Sequence, residues 1–520
     1  MYNNTSLTQT TEEALISMRE LRERLDRHQQ LLENIMAHLQ PPSEQFTSGW
    51  MPLKDKEVMV EPVQSSQKIR KIGTLQAPSQ DIVGKLRLTR LGRFYINHLK
   101  RYVVVRWIAH WMWRNGYPFY VNHIAPRISN SNNNKTKRWR PLTKLSEFAR
   151  KSGTPIYKLA DAVVVDMPKP IVFPDSDQSY LISPHERFKF PEIYIATINN
   201  ALVSGGTNLI LSGNEVICHD LYDFERDFTS EELHGRTLID PKHTRIRWLL
   251  RDDAPEPIPA VAAFVDACGS NYAHWMTEVL PRIILFCAEA RFRDVPIVVN
   301  DGLHTNIMES LLLVAGAERE IITLPIGRSL AAAQLYLTSA AGYVPFERRT
   351  NKLPGHSHGV FSPWAFEMLR KHLHALDRKT EREAWPEKIF LRRNSGVRRI
   401  ANVSELEKLM FSKGYVIVEP EKLTFLQQIQ LFNHAKVIVS PTGAALANAV
   451  ACKPGAQVVV LMGKHQDMIY GYWNNLLGPL GVNVSYVLGN IIENHHLGIH
   501  GDFKVNAECI NQMIEGFEKK

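Results

Sequence analysis

Three segments of the 520-residue chain carry side chains whose spacing suits group transfer. In Asn271-Tyr-Ala-His-Trp-Met-Thr-Glu-Val-Leu-Pro-Arg282, His274 and Glu278 stand four apart and share one helix face. Either can take a proton from a substrate hydroxyl. A plain pairing of Glu278 with Arg282, with His274 as a cap or core residue, fits the same letters. In Arg392-Arg-Asn-Ser-Gly-Val-Arg-Arg399, four arginines flank a glycine turn at the carboxyl end of an expected strand. Guanidinium forks there suit phosphate oxygens, and a solvated basic turn is the bland alternative. In Ser440-Pro-Thr-Gly-Ala-Ala-Leu-Ala-Asn448, a β-branched run passes through Gly443 into an Ala-rich helix. Glycine permits an unusual turn and close backbone approach. The helix start offers N–H groups to a phosphate, and Ala444 and Ala445 leave room for a diphosphate. Close helix–sheet packing explains the same pattern without a ligand.

Other candidates are weaker. Asp175-Ser-Asp177 is a literal DxD, but it sits in a Pro-flanked polar loop and is read as a turn. His495, His496 and His500 are read as surface histidines, with no cysteine nearby to complete a zinc site. The five cysteines are scattered without CxxC spacing, so a reducing compartment is expected.

The elements that must position these groups follow from periodicity. From about residue 190, short β-rich runs alternate with helical ones. Strands are expected at 193–197, 208–212, 260–265, 296–299 and 334–338, then at 388–392, 415–419, 436–440, 457–462 and 484–488. Helices are expected at 272–289, 304–315, 363–376, 403–412, 424–433 and 444–452. This alternation predicts parallel α/β layers. A polar Pro/Gly break near 351 divides it into two units, 151–350 and 351–520, with a ligand at the carboxyl ends of the strands. Earlier, Ala14, Met18, Leu21, Leu25, Leu32, Ile35 and Leu39, interrupted by His28, follow three-and-four spacing. That predicts a coiled-coil helix within 1–42, ended by Pro41-Pro42 and used for self-association or folded back on the body. Residues 43–150 read as a linker and a basic, aromatic segment.

Charge is unevenly spread. Residues 82–146 hold fourteen Lys and Arg and no Asp or Glu, so the rest of the chain is net negative despite the overall +9. Within that segment the run from Tyr102 to Trp113 is apolar and aromatic. This suits an anionic membrane surface or nucleic-acid phosphates, or is a solvated face around a buried helix. The first 40 residues are polar and no apolar run spans a bilayer, so a cytoplasmic protein, peripheral at the inner membrane face, is expected.

The three segments occur in an order that resembles glycosyltransferase family 61. NYAHWMTEVLPR is similar to that family's "NYxHWxxDxLPR" segment, KIFLRRNSGVRRIANVSEL to its "R…RxxxN" donor loop, and SPTGAALAN to its "xxHGAGLTN" turn. Tyr472-Trp-Asn-Asn-Leu-Leu-Gly-Pro-Leu-Gly481 resembles its late helix, and the likeness covers roughly residues 258–490. The chain departs from the pattern at Glu278, where Asp is usual, at Thr442 in place of His and at Ala445 in place of Gly. The resemblance implies two Rossmann-like units in a GT-B arrangement and an inverting, metal-independent hexosyl- or pentosyltransferase of capsular polysaccharide biosynthesis. No cofactor is expected beyond the nucleoside-diphosphate sugar donor; the acceptor is a glycan or lipid-linked glycan, and nucleic acid is not expected. Glu278 is expected as base, with His274 orienting or substituting for it. Arg392, Arg393, Arg398, Arg399, Thr442, Gly443, Ala444 and Asn448 are expected on the donor, and Asn271 and Tyr272 on the acceptor side. A phosphoenolpyruvate-dependent or other sugar-nucleotide transferase, or a non-catalytic glycan- or membrane-binding scaffold, fits the same fold.

Overall fold

A computed structural model of the chain describes residues 68–73 and 138–518, apart from 168, 170, 182–186, 235, 251, 253, 346–358, 378–384, 396, 466–469 and 494–500. Residues 102, 104, 105 and 108 are also described. The expected helix over 14–39 and the histidines at 495, 496 and 500 lie outside the described residues.

Two sheets organise the described chain. In the C-terminal one, Lys388–Leu391, Val416–Val418, Val437–Pro441, Gln457–Lys464 and Asn483–Glu493 run parallel. Numbered along the chain, their spatial order is second, first, third, fourth, fifth. That is a doubly wound order, and its strand order reverses between Lys388–Leu391 and Val437–Pro441. The antiparallel strand Asp502–Lys504 pairs with Asn483–Glu493, as does the parallel strand Ile171–Phe173, contributed from far upstream. The helix Asp175–Tyr180 follows that added strand, and there Asp177 is 6% exposed with its Oδ1 accepting from Lys464 Nζ at 2.7 Å. The literal DxD is therefore a turn that ties the added strand down.

The other sheet is mixed. Ile321–Leu324, Ile297–Asn300, Glu256–Ala263 and Ser329–Thr338 are parallel neighbours in that order, which reverses between Glu256–Ala263 and Ser329–Thr338. Ile69–Lys71 adds a further parallel edge. Beyond Ser329–Thr338 the sheet turns antiparallel, through the 12-residue strand Ile193–Ser204, then Ile210–Ser212 and Glu215–Cys218. The expectation of parallel layers is thus corrected for this half. The connections from Ile193–Ser204 to Ile210–Ser212 and on to Glu215–Cys218 are too short for a crossover, so these neighbours pair antiparallel, while Trp139–Lys144, from far upstream, adds parallel to Glu215–Cys218. Gly213, at φ 56°, sits in the two-residue turn that pairs Ser212 with Glu215.

Six helical segments supply the shared face of the sheets, Tyr272–Cys287, Thr305–Ala315, Pro363–Asp377, Phe425–His434, Ala444–Ala451 and Gly471–Leu477, while Leu145–Ser152, Val403–Ser412 and Ala507–Glu518 pack on the other faces. Trp275, Leu280, Leu311, Leu369, Ile429, Ala447 and Leu477, all fully or almost fully buried, belong to one apolar core that takes residues from both halves. The opposite faces of the sheets carry separate cores, one around Val261, Val298 and Leu335 and one around Phe390, Val459 and Ile510. The shared core fixes the carboxyl ends of the two sets of parallel strands relative to each other. No helix among the described residues is long and apolar enough to cross a membrane.

Candidate functional site

The Tyr272–Cys287 segment is not a uniform helix. Asn271 caps it, its side chain accepting from Ala273 N–H, and a π-helical stretch, Trp275–Val279, precedes Leu280–Cys287. Pro281 supplies no N–H to the carbonyl of Thr277 and crowds it, so the wider turn is the local remedy. Gly342 backs onto that carbonyl so closely that a Cβ there would lie 2.4 Å from it. The wide turn carries Glu278, which is 9% exposed.

Glu278 uses both carboxylate oxygens. Its Oε2 is hydrogen-bonded to His274 Nδ1, and its Oε1 accepts from Val344 N–H at 2.7 Å. An ionised carboxylate only accepts, so Nδ1 carries the hydrogen and Nε2 is the basic nitrogen. Burial works against charge on the imidazole, yet the charge and hydrogen bond of Glu278 outweigh it and hold the His274 pKa above the ordinary value. The pair lines a small cavity of about 50 Å³ that also touches Ser230, Glu231, Asp266 and Cys268. A second cavity of similar size shares Asn208, His219, Asp266, Glu278 and Tyr343 with it. Both lie where the order of the mixed sheet reverses.

The reversal point of the C-terminal sheet opens a larger cleft of about 470 Å³. Arg393, Asn394, Ser440, Gly443, Ala444 and Ala445 line it on one side, and Ser270, Tyr272, His304, Asn306 and Ile307 from the other half of the chain. Its volume lies within the range of small-molecule sites. Gly443 has φ 177° and ψ 169°, extended backbone open to any residue, so the expected special turn is absent. Its lack of a side chain matters for another reason: a Cβ there would lie 2.2 Å from Arg393 Nη1. The following helix, Ala444–Ala451, is 3₁₀ rather than α.

The four arginines separate into two kinds. Arg392 reaches Glu407 through Nε and Nη2, each at 2.6 Å, and Glu419 through Nη1 at 3.0 Å. Arg399 donates from Nε and Nη2 to Asp502 Oδ2 at 2.9 and 2.7 Å. Both guanidinium groups are committed within the protein. Arg393 and Arg398 have no carboxylate partner among the described residues. Arg393 Nε reaches only the Val397 carbonyl at 3.4 Å, and burial lowers its pKa. Burial, with the repelling charge of Arg393, pushes the Arg398 guanidinium down to about 10. Its Nε is buried without a hydrogen-bond partner, and Arg398 holds a left-handed φ of 57°. Two neighbouring guanidinium groups without a paired carboxylate among the described residues make this a candidate anion site, on a cleft whose wall also includes Arg392 and Glu421.

The remaining expected residues serve the protein itself. Thr442 is 6% exposed and its Oγ1 accepts from Trp473 Nε1 at 3.1 Å. Asn448 is fully buried: Oδ1 accepts from Tyr272 Oη at 2.6 Å, and Nδ2 donates to Gln428 Oε1 at 2.7 Å. Asn448 and Tyr272 therefore form a bridge between the two halves, and Asn271 is a cap. His274 and Glu278 are brought together, and so are Arg393, Gly443 and Ala444, but in separate cavities; the Asp266–Tyr272 turn borders both. Among the described residues no group of three or more His, Cys, Asp or Glu is placed to share a metal ion. Sequence reading missed Asp266 and Ser270, although both follow the carboxyl end of a strand at a reversal point, the position where ligand-binding residues concentrate.

The family model for glycosyltransferase 61 matches residues 272–459. That stretch begins at the helix bearing His274 and ends in the strand after the Gly443 turn, and it includes the four arginines. No curated protein matches the chain.

Proposed function

The chain belongs to glycosyltransferase family 61, and from that premise we propose that it moves a sugar from a nucleoside diphosphate to a glycan hydroxyl with inversion of the anomeric centre. The observation that carries this reading is Arg393, a guanidinium without a carboxylate partner among the described residues that lies against Gly443 at the reversal point of a doubly wound sheet, with Arg398 next to it. In such a transfer the acceptor oxygen forms a bond to the anomeric carbon, the carbon–oxygen bond to the diphosphate breaks, and the acceptor proton goes to a base. Arg393 and Arg398 receive the departing diphosphate charge. His274 Nε2 takes the proton, and Glu278 holds the ring and stabilises the imidazolium. Of the two assignments the sequence left open, this one is favoured because both oxygens of Glu278 are already engaged.

The same proposal includes a GT-B arrangement, supported by the two doubly wound strand sets that both border the large cleft. It includes a hexosyl or pentosyl donor acting without a metal. A role in bacterial surface-polysaccharide assembly, at an anionic membrane face and with self-association through 14–39, rests on the sequence and its resemblance alone. A thermal-shift screen against UDP-, GDP- and CMP-sugars, with phosphoenolpyruvate alongside, tests the reading. A rise in melting temperature with one nucleotide sugar, followed by its hydrolysis or transfer, supports it. Stabilisation by phosphoenolpyruvate alone, or by glycan with no nucleotide, overturns it.

A further inference from the structure

The His274–Glu278 pair shares its cavity walls with a buried carboxylate that the proposed transfer does not use. Asp266 lies three residues beyond the Glu256–Ala263 strand, is 6% exposed, and borders both small cavities together with Glu278. Its backbone is clamped by Asn300: Asp266 N–H donates to Oδ1 at 3.0 Å, and Nδ2 donates back to the Asp266 carbonyl at 2.8 Å. Gly269 leaves the space for that clamp, since a Cβ there would lie 2.5 Å from Asn300 Oδ1. The carboxylate is equally fixed. Oδ1 accepts from Cys268 N–H at 2.8 Å, Oδ2 accepts from Asn208 Nδ2 at 2.9 Å, and Oδ2 lies 3.7 Å from Arg282 Nη2. Arg282 in turn donates through Nε to the Glu278 carbonyl at 2.6 Å. Asp266 thus balances the arginine that holds the wide turn of the helix.

We propose that Asp266 is a positioning residue for the transfer, which by balancing Arg282 and placing its own charge on the shared cavity wall sets the pH at which the His274–Glu278 pair accepts a proton. This rests on the reading that His274 takes the acceptor proton. The groups facing the pair come from six elements, one of them Gly471–Leu477 with Tyr472, whose phenol is pushed well above its ordinary value by burial. Arg282 shares its helix, and Asp266 and Cys268 come from the turn before it. Glu231 comes from Ser230–Leu233, His219 follows Glu215–Cys218, and Tyr343 belongs to Gly342–Tyr343. His219 is pushed down to about 4 by burial, and burial raises the Cys268 thiol to about 12 and the Tyr343 phenol well above its ordinary value. Those three stay neutral near pH 7, and burial raises Glu231. Besides its partner Glu278, Asp266 is the group whose charge acts on His274, and removing it leaves Arg282 with Glu278 alone.

The test is Asp266→Asn in the full chain, with the His274 titration followed by NMR of ring-labelled histidine and assigned with His274→Gln. The midpoint should fall by about one pH unit, the size of losing a close charge. Asp266→Glu should restore most of it, and the nucleoside-diphosphate dissociation constant should stay within about twofold. A folded Asp266→Asn protein whose His274 midpoint does not move overturns the proposal. If that variant does not fold, Asp266→Glu, which keeps the charge, should hold the midpoint near the wild-type value, and a midpoint lowered by a full unit overturns the proposal equally. The titration needs neither donor nor acceptor. A wild-type transfer profile without a limb at the His274 midpoint would therefore overturn the base assignment separately from the effect of Asp266.

Discussion

Replacing Gly443 by alanine separates the donor site from the fold. The added Cβ would stand 2.2 Å from Arg393 Nη1 and 3.4 Å from its Cζ, while the nearest backbone atom, the Pro441 carbonyl oxygen, is 3.8 Å away. The arginine tip must therefore retreat by more than 1 Å to restore ordinary contact, and nothing else need move. The backbone, at φ 177°, accepts alanine without strain. Stability should thus change by less than about 1 kcal/mol, with a slight gain expected from the less flexible unfolded chain. Binding should suffer instead. One charge-assisted hydrogen bond contributes about 1.5–3 kcal/mol, which is roughly a tenfold to hundredfold rise in dissociation constant. Calorimetry with a nucleoside diphosphate, beside a thermal melt, reads both quantities. Arg393→Ala should lose a similar amount, and the double variant little more than either alone, because both substitutions remove one contact. An unchanged dissociation constant, or additive losses, would refute the placement of Arg393 on the anion. A collapse in melting temperature would refute the steric argument.

Arg398→Ala should weaken nucleotide binding by at least tenfold in calorimetry, whereas Arg392→Ala should leave binding within about threefold and cost roughly 1–3 kcal/mol in a denaturant titration, by stranding Glu407 while Glu419 keeps Lys422. Glu278→Gln should lose most turnover in a transfer assay and keep nucleotide affinity; near-wild-type turnover would remove Glu278 from the mechanism. Because the folded-state pKa of His274 is raised, the pair stabilises the fold below the unfolded value of about 6.5 and loses that contribution as pH rises through the folded midpoint. The gap in melting temperature between wild type and Glu278→Gln should therefore be widest near pH 6 and narrow in alkali, and the same midpoint should appear as a rate that climbs with pH. Asn448→Ala strands Tyr272 Oη and Gln428 and should cost about 2–3 kcal/mol by denaturant titration.

What the sequence disclosed, and what it hid, divides along physical lines. The four-residue spacing of His274 and Glu278 is a local property, and the bond between them follows from it. The parallel strands from 388 onward are short apolar runs, with Val437–Pro441 and Gln457–Lys464 buried along nearly their whole length, and their positions are legible within a few residues. Strands before residue 190 were hidden because they do not look like strands. Trp139–Lys144 reads Trp-Arg-Pro-Leu-Thr-Lys, and Ile171–Phe173 is three residues long and borrowed by the distant sheet. The division of the arginines was equally hidden. Arg392 and Arg393 are adjacent and identical in type, yet one meets Glu407 and Glu419 and the other meets no acid among the described residues. Only tertiary placement of the partners decides that. Asp502, which takes Arg399, lies 103 residues along the chain.

The two cavities impose a condition on any transfer that uses both. The anion cleft belongs to the reversal point of one sheet and the His274–Glu278 pair to that of the other, and the Asp266–Tyr272 turn touches each. Cys268 faces the small cavity while Ser270 and Tyr272 face the large one. On the proposed reading, a sugar held by its diphosphate against Arg393 and Gly443 would present its anomeric carbon toward this turn, the segment that borders both cavities. The turn is rigid for reasons already visible: Asn300 clamps its first residue, Asn271 caps the helix that follows, and Tyr272 is bound across to Asn448. Such stiffness suits a reaction that depends on orientation, since a displacement of about 1 Å can cost a hundredfold in rate. Loosening the Tyr272–Asn448 bond without emptying either cavity should accordingly lower turnover more than it weakens nucleotide binding.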